Sequence, residues 1–140
     1  MRLTVDTNIL IRAFVEDDPD QAAKAKSLLS GAALIVIPVP AFCEFAWVLS
    51  RSYGVAAADI ASAIAALADS ETVLTDRPAV EAGIDMVRAG GDFADGAIAM
   101  QGVSLGGTVF ASFDRKALDL WRKRGGQASD PAALLTASDR

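Results

Sequence analysis

Short apolar runs that end in an acidic residue and hand over to a helix constrain this chain most. Leu3-Thr4-Val5 ends at Asp6, and Leu34-Ile35-Val36-Ile37 leads into a helical segment carrying Glu44. Thr108 to Phe113 ends at Asp114, and a fourth acid, Asp95, lies in Asp92-Phe93-Ala94-Asp95-Gly96 at the opening of another helix. Strands that alternate with helices imply a parallel sheet with right-handed crossovers. In such a sheet the carboxyl ends of the strands share one edge, and ligands bind there. Four carboxylates on one edge repel one another unless a cation sits among them. Hard oxygen donors in that number suit Mg²⁺ or Mn²⁺. The pattern points to metal-dependent chemistry on phosphate esters.

Composition narrows the chemistry. With 140 residues, 52% of them hydrophobic, residues 1–140 are expected to form a single domain with a real core. The chain has no histidine. That excludes Ser-His triads, histidine-based ribonucleases and His-ligated zinc, and leaves hydrolysis to carboxylates, metal and water. A single cysteine, Cys43, allows no internal disulfide and reads as a small core residue. The net charge of −5 counts against a passive nucleic-acid binder. It counts less against a nuclease whose acidic site is neutralised by metal. The apolar stretch from Ala32 to Cys43 is broken by Pro38 and Pro40 and is too short to span a bilayer. Asp6 interrupts what would be the apolar part of a signal peptide. A cytoplasmic protein with no membrane partner is expected.

Periodicity and punctuation predict strands at Arg2–Asp6, Leu34–Ile37, Thr72–Leu74 and Thr108–Phe113. They predict helices over Asn8–Val15 (apolar nearly all round, hence buried), from Asp18-Pro19 to about Ser30, Pro40–Tyr53, Ala57–Ala68, from Asp76-Arg77-Pro78 to Ala89, Phe93–Val103 and Arg115–Arg124. The tail from Gly125 carries a weak signal and leaves a fifth strand open. The expected architecture is a three-layer α/β/α domain around a central parallel sheet of four or five short strands. Charge is uneven. Glu16-Asp17-Asp18 and Asp20 form an acidic patch, and Arg115, Lys116, Arg122, Lys123 and Arg124 face Asp119 alone.

Each acid also has a plain structural explanation. Asp, Thr and Asn favour helix N-termini, so Asp6, Thr7 and Asn8 can be caps, as can Asp92 with Asp95 three residues on, and Asp114. Glu44, between Phe42-Cys43 and Phe45, is harder to explain that way, because charged residues are seldom buried unless paired or bound to metal. One capping acid explains itself; four at strand–helix transitions do not.

Four segments carry a resemblance that covers nearly the whole chain: Val5-Asp6-Thr7-Asn8-Ile9-Leu10, the helix of Glu44, Asp92-Phe93-Ala94-Asp95-Gly96-Ala97-Ile98-Ala99, and Ser112-Phe113-Asp114. In order and spacing they resemble the PIN-domain nucleases, and among them the VapC-type toxins of toxin–antitoxin pairs. Gly96 stands where alanine is usual and Ser112 where threonine is common. The resemblance implies Asp6, Glu44, Asp95 and Asp114 as the catalytic, metal-binding quartet, with Asp92 as an auxiliary acid and Asn8 and Ser112 as polar support. It also implies a Mg²⁺- or Mn²⁺-dependent endoribonuclease, a homodimer, an RNA substrate and a cognate antitoxin. Arg115 and Lys116 are candidates for steering the RNA backbone. Trp47 and Trp121 read as core residues, with base stacking as the competing role. A haloacid-dehalogenase-type phosphatase needs a second aspartate where Asn8 stands. A receiver domain wants paired acids after strand one. A catalytically inactive binding module need not keep all four acids.

Overall fold

The computed structural model describes residues 1–138. Asp–Pro and lone Asp punctuation sets where its helices begin. Asp6 opens α1 (Thr7–Phe14) after β1 (Arg2–Thr4), and Asp18 opens α2 (Pro19–Gly31) with its carboxylate accepting from the Gln21 amide. After β2 (Leu34–Val36), the helix α3 (Val39–Arg51) starts at Pro38 and carries Pro40 in its first turn, where a missing N–H costs nothing. Then come α4 (Ala57–Asp69), β3 (Val73–Leu74), α5 (Arg77–Arg88), capped by Asp76, and α6 (Phe93–Ser104), capped by Asp92. The chain continues through β4 (Phe110–Ala111), α7 (Arg115–Lys123), capped by Asp114, β5 (Ala128–Ser129) and α8 (Pro131–Ser138).

All strand pairs are parallel. β2 lies between β1 and β3, with Leu3 opposite Ile35 and Ile35 opposite Val73. The ladder continues past the strands, where the Val5 amide donates to Val36 and the Ile37 amide to Leu74. Ile35 and Ile37, which point to the same face of the strand, are buried, while Leu34 and Val36 on the other face are half-buried. Ile35 and Ile37 join Leu10 of α1, Phe42, Phe45 and Leu49 of α3, Ile60 and Ile64 of α4, Val80 of α5 and Phe93 of α6 in the main core. A smaller cluster joins Ala82, Ala99 and Trp121 to Phe110 and Ala128.

The expected parallel α/β architecture is present, with four differences in detail. The strands do not form one sheet: β4 pairs with β5, Phe110 opposite Ala128, in a separate two-stranded ladder. The strand expected over Thr108–Phe113 shrinks to two residues, because Thr108 and Val109 are exposed behind the Gly106-Gly107 turn and Phe113 is 88% exposed. The tail, whose fifth strand was left open, supplies β5 and also α8. That helix announces itself by the same Asp–Pro signal as α2, since the Asp130 carboxylate accepts from the Ala133 amide at 2.8 Å. Also, α1 is not buried all round: its core face is Thr7, Leu10 and Ile11, while Asn8 and Phe14 are exposed.

α5 and α6 pack closely against each other. A side-chain carbon added at Gly96 would lie 2.4 Å from the Ala82 carbonyl oxygen, and one at Gly83 would lie 2.5 Å from the Phe93 ring. Two glycines thus let the helices approach where no larger residue fits. Glycine at position 96, where alanine is usual, is a requirement of this chain's own packing, and it fixes the residue before it, Asp95.

Candidate active site

Each acid of the predicted quartet starts or nearly starts a helix, and the fold explains why. Asp6 follows β1, and its Oδ1 accepts from the Thr7 amide at 2.7 Å. Asp114 follows β4, and its Oδ1 accepts from the Ala117 amide at 3.1 Å. Its own amide donates to the Ser112 hydroxyl at 3.0 Å, so Ser112 holds the backbone turn that presents it. Asp92 caps α6 through the Ala94 amide at 3.3 Å. Asp95, in the first turn of α6, is the exception: among the described residues its side chain makes no hydrogen bond and no ion pair. Glu44 projects from the second turn of α3, and its Oε2 accepts a 2.8 Å hydrogen bond from the Thr7 hydroxyl.

Neighbour relations tie these acids into one region. Thr7 sits between Asp6, which caps its amide, and Glu44, which accepts a hydrogen bond from its hydroxyl. The Cys43 thiol is pushed up to about 11, first by burial and then by the charges of Asp92 and Glu44. The Asp95 carboxyl is raised above the ordinary aspartate value by burial, then by Asp92, then by Asp114. Asp6, Glu44, Cys43, Asp92, Asp95 and Asp114 therefore follow one another along the same edge. Capping and site roles coexist, because a cap uses one carboxylate oxygen and leaves the other free.

Asn8 stands outside this group, lining a cleft between α1 and α2 with Arg12 and Leu28. Arg115 and Lys116 are exposed in the first turn of α7, directly after Asp114, and neither is in an ion pair. Arg122 and Arg124 of the same basic stretch are engaged, with Asp119 at 3.2 Å and Asp85 at 2.9 Å. The early acidic patch is likewise matched: Asp17 by Arg12 at 2.9 Å, Asp20 by Lys24 at 3.1 Å and Glu16 by Lys26. By contrast Asp6, Glu44, Asp92, Asp95 and Asp114 have no cationic side chain on them among the described residues. Burial does not explain Glu44, which is exposed despite its apolar neighbours.

Hard, anionic oxygens without a protein counter-charge fit a divalent cation of the Mg²⁺ or Mn²⁺ kind. Among the described residues no three Cys, Asp or Glu side chains converge closely enough to hold an ion between them. The acids line the edge without closing on a common point.

Two residues were misread or missed in the sequence. Trp47 was expected in the core and is 57% exposed, whereas Trp121 is buried at 3%, with Arg124 lying 5.4 Å over its ring. The α3 pattern itself held the signal. Phe42, Phe45, Ala46 and Leu49 mark the buried side, and position 47 falls on the other. Thr7 was read as a cap, and its hydroxyl holds Glu44 instead.

Parallel strands alternating with helices make this an α/β domain with an uncompensated acidic edge. The family model described as the PIN domain matches residues 3–122, and the chain belongs to that family. PIN domains are generally nucleases and usually use divalent metal ions. No curated protein matches the chain. Among the described residues no helix is long and apolar enough to cross a membrane.

Proposed function

We propose that this PIN domain is a Mg²⁺- or Mn²⁺-dependent endoribonuclease and the toxin of a VapC-type toxin–antitoxin pair, homodimeric and neutralised by a cognate antitoxin. The observation that carries the catalytic part is the set of carboxylates gathered on one edge without a cationic partner, among them the Asp95 carboxylate, which accepts no hydrogen bond among the described residues. Asp6, Asp95 and Asp114 would hold the metal, with Glu44 as a further ligand or as the group that positions the attacking water. A bound divalent ion activates water and neutralises charge on the scissile phosphate. The chain's own residues do the rest. Thr7 fixes the Glu44 carboxylate, Ser112 fixes the Asp114 turn, Asp92 adds negative charge beside Asp95, and the free cations of Arg115 and Lys116 attract the RNA backbone. The toxin role and the partners rest on the resemblance of the four segments named above.

Incubation of the purified protein with total RNA and Mg²⁺ or Mn²⁺, beside EDTA and Asp95→Asn controls, tests this reading. Discrete cuts that vanish in both controls are expected. Cutting that persists in the Asp95→Asn protein would remove Asp95 from the site. No cutting and no metal binding would turn the reading towards a binding module.

A further inference from the structure

A cavity of about 280 Å³ opens beside the acidic edge, between α3, α4, α5 and the start of α6. Its apolar lining includes Ile60, Val87 and Phe93, and its polar lining includes Asp92 and Arg51. The exposed Trp47 contributes to the same wall. Glu44, Trp47 and Arg51 follow at steps of three and four residues along α3, so they share one side of that helix. Trp47 lies about 4.5 Å and Arg51 about 10.5 Å further along the axis than Glu44. Asp92 belongs both to the cavity wall and to the acidic edge, and Glu44 lies one turn before Trp47 on α3.

Two features of this wall have no role in the fold. More than half of the Trp47 surface is in water, an unfavourable place for the largest aromatic side chain. The Arg51 guanidinium has no hydrogen bond or ion pair among the described residues, whereas those of Arg12, Arg77, Arg122 and Arg124 are each held by a carboxylate. An indole face backed by apolar side chains, with a free guanidinium one turn on, is what a base and its phosphate require: stacking for the ring, a charge-assisted hydrogen bond for the anion. The volume lies at the small end of ligand pockets, suited to one planar base and not to a larger cofactor.

We infer that the Trp47–Arg51 wall is a nucleobase-stacking subsite, which holds a nucleotide of single-stranded RNA next to the one being cut. The inference rests on the RNA-directed reading of the acidic edge. It adds a sequence-tolerant anchor, because every base has a π-face.

Its test is binding in EDTA, where cleavage does not intervene. Fluorescein-labelled single-stranded oligoadenylate and an abasic oligomer of the same length are titrated with the protein, and anisotropy is read. Wild type is expected to prefer oligoadenylate. Trp47→Ala is expected to weaken oligoadenylate binding about 5- to 100-fold and to leave abasic binding unchanged, while Trp47→Phe stays within about threefold of wild type. Arg51→Gln is expected to weaken both ligands and lower the salt slope by about one. Because Trp47 is largely in solvent, the variants should keep wild-type circular dichroism and melting. Equal oligoadenylate affinity in wild type and Trp47→Ala overturns the subsite. So does a Trp47→Ala protein that binds both oligomers normally but changes its self-association, which would make this face a contact between copies. Metal-dependent cleavage of total RNA, measured in parallel, separates the two readings. Cleavage without Trp47-dependent binding removes the subsite and leaves the nuclease. Trp47-dependent binding with neither cleavage nor Mn²⁺ binding removes the nuclease and leaves the subsite.

Discussion

The Thr7 hydroxyl donates to the Glu44 carboxylate at 2.8 Å, joining α1 to α3 across 37 positions of sequence. Thr7 is 8% exposed, the one buried polar side chain among the described residues, and a buried hydroxyl must find a partner. Here the partner is an acid of the site. The bond leaves Glu44 one oxygen uncommitted and restricts the rotamers from which that oxygen can act.

Removing the hydroxyl while keeping the shape tests its role. Thr7→Val is expected to lower kcat about tenfold with little change in KM, since the loss is in the orientation of Glu44 and not in RNA contact. Stability should fall by about 1 kcal/mol for the lost hydrogen bond. Thr7→Ser, which restores the donor, should recover most of the rate. A Thr7→Val protein that matches wild type in kcat would show that Glu44 needs no such anchor.

Asp95→Asn separates function from stability by sign. Cleavage should vanish and Mn²⁺ affinity should fall, while the metal-free protein should melt no lower than wild type. Asp95 bears the charges of Asp92 and Asp114 without a compensating partner. Relief of that repulsion, on the order of 0.5 kcal/mol after solvent screening, raises the melting temperature by roughly 2 °C. The pH dependence has a definite direction. A carboxyl raised in the folded state binds its proton more tightly there than in the unfolded chain. Its penalty is therefore present at neutral pH and fades as pH falls through the raised value towards the ordinary one. In EDTA the difference between variant and wild type should shrink over that acidic window. A variant that melts lower than wild type at pH 7 would make Asp95 structural.

How much of this was legible in the sequence depends on range. Helix starts were readable because caps are local: Asp6, Asp18, Asp76, Asp92 and Asp114 each accept from an amide within three residues. The strand-end acids were readable for the same reason, and at Asp6, Asp92 and Asp114 the caps concealed nothing, since each leaves an oxygen free. The Thr7–Glu44 bond was not readable, because nothing near either residue specifies the other. Trp47 was readable but overruled by the general preference of tryptophan for interiors, although the α3 periodicity placed it outside. The separation of β4 and β5 from the other three strands was out of reach, because two-residue strands carry no periodic pattern. Asp130-Pro131 was a missed signal of the kind already used at Asp18-Pro19.

The Cys43 thiol gives a chemical check on the same neighbourhood. It is pushed up to about 11 by burial and by the nearby Asp92 and Glu44. At pH 8 in EDTA, about one thiol in a thousand is then ionised, so iodoacetamide should alkylate the folded protein far more slowly than the urea-unfolded chain. The rate should rise about tenfold per pH unit up to pH 10, because thiolate is the reacting form. Alkylation of the folded protein as fast as of the unfolded one at pH 8 would mean that Cys43 stands free of these acids and in water.

Gly96 and Gly102 lie in the same helix and should respond to alanine with opposite signs. A side-chain carbon at Gly96 meets the Ala82 carbonyl oxygen at 2.4 Å and Met86 at 2.5 Å, and the carbonyl, being helix backbone, has no rotamer into which to move. One at Gly102 meets nothing within 4 Å. Gly96→Ala must then push α6 away from α5, at a cost of about 1–3 kcal/mol, and should also slow cleavage because Asp95 moves with the helix. Gly102→Ala should stabilise by about 0.5 kcal/mol, through helix propensity and a smaller unfolded ensemble. Urea denaturation of both variants reads the two signs directly. A Gly96→Ala protein as stable as wild type would show that α6 can ride higher on α5 without loss, and that the glycine is not what sets the position of Asp95.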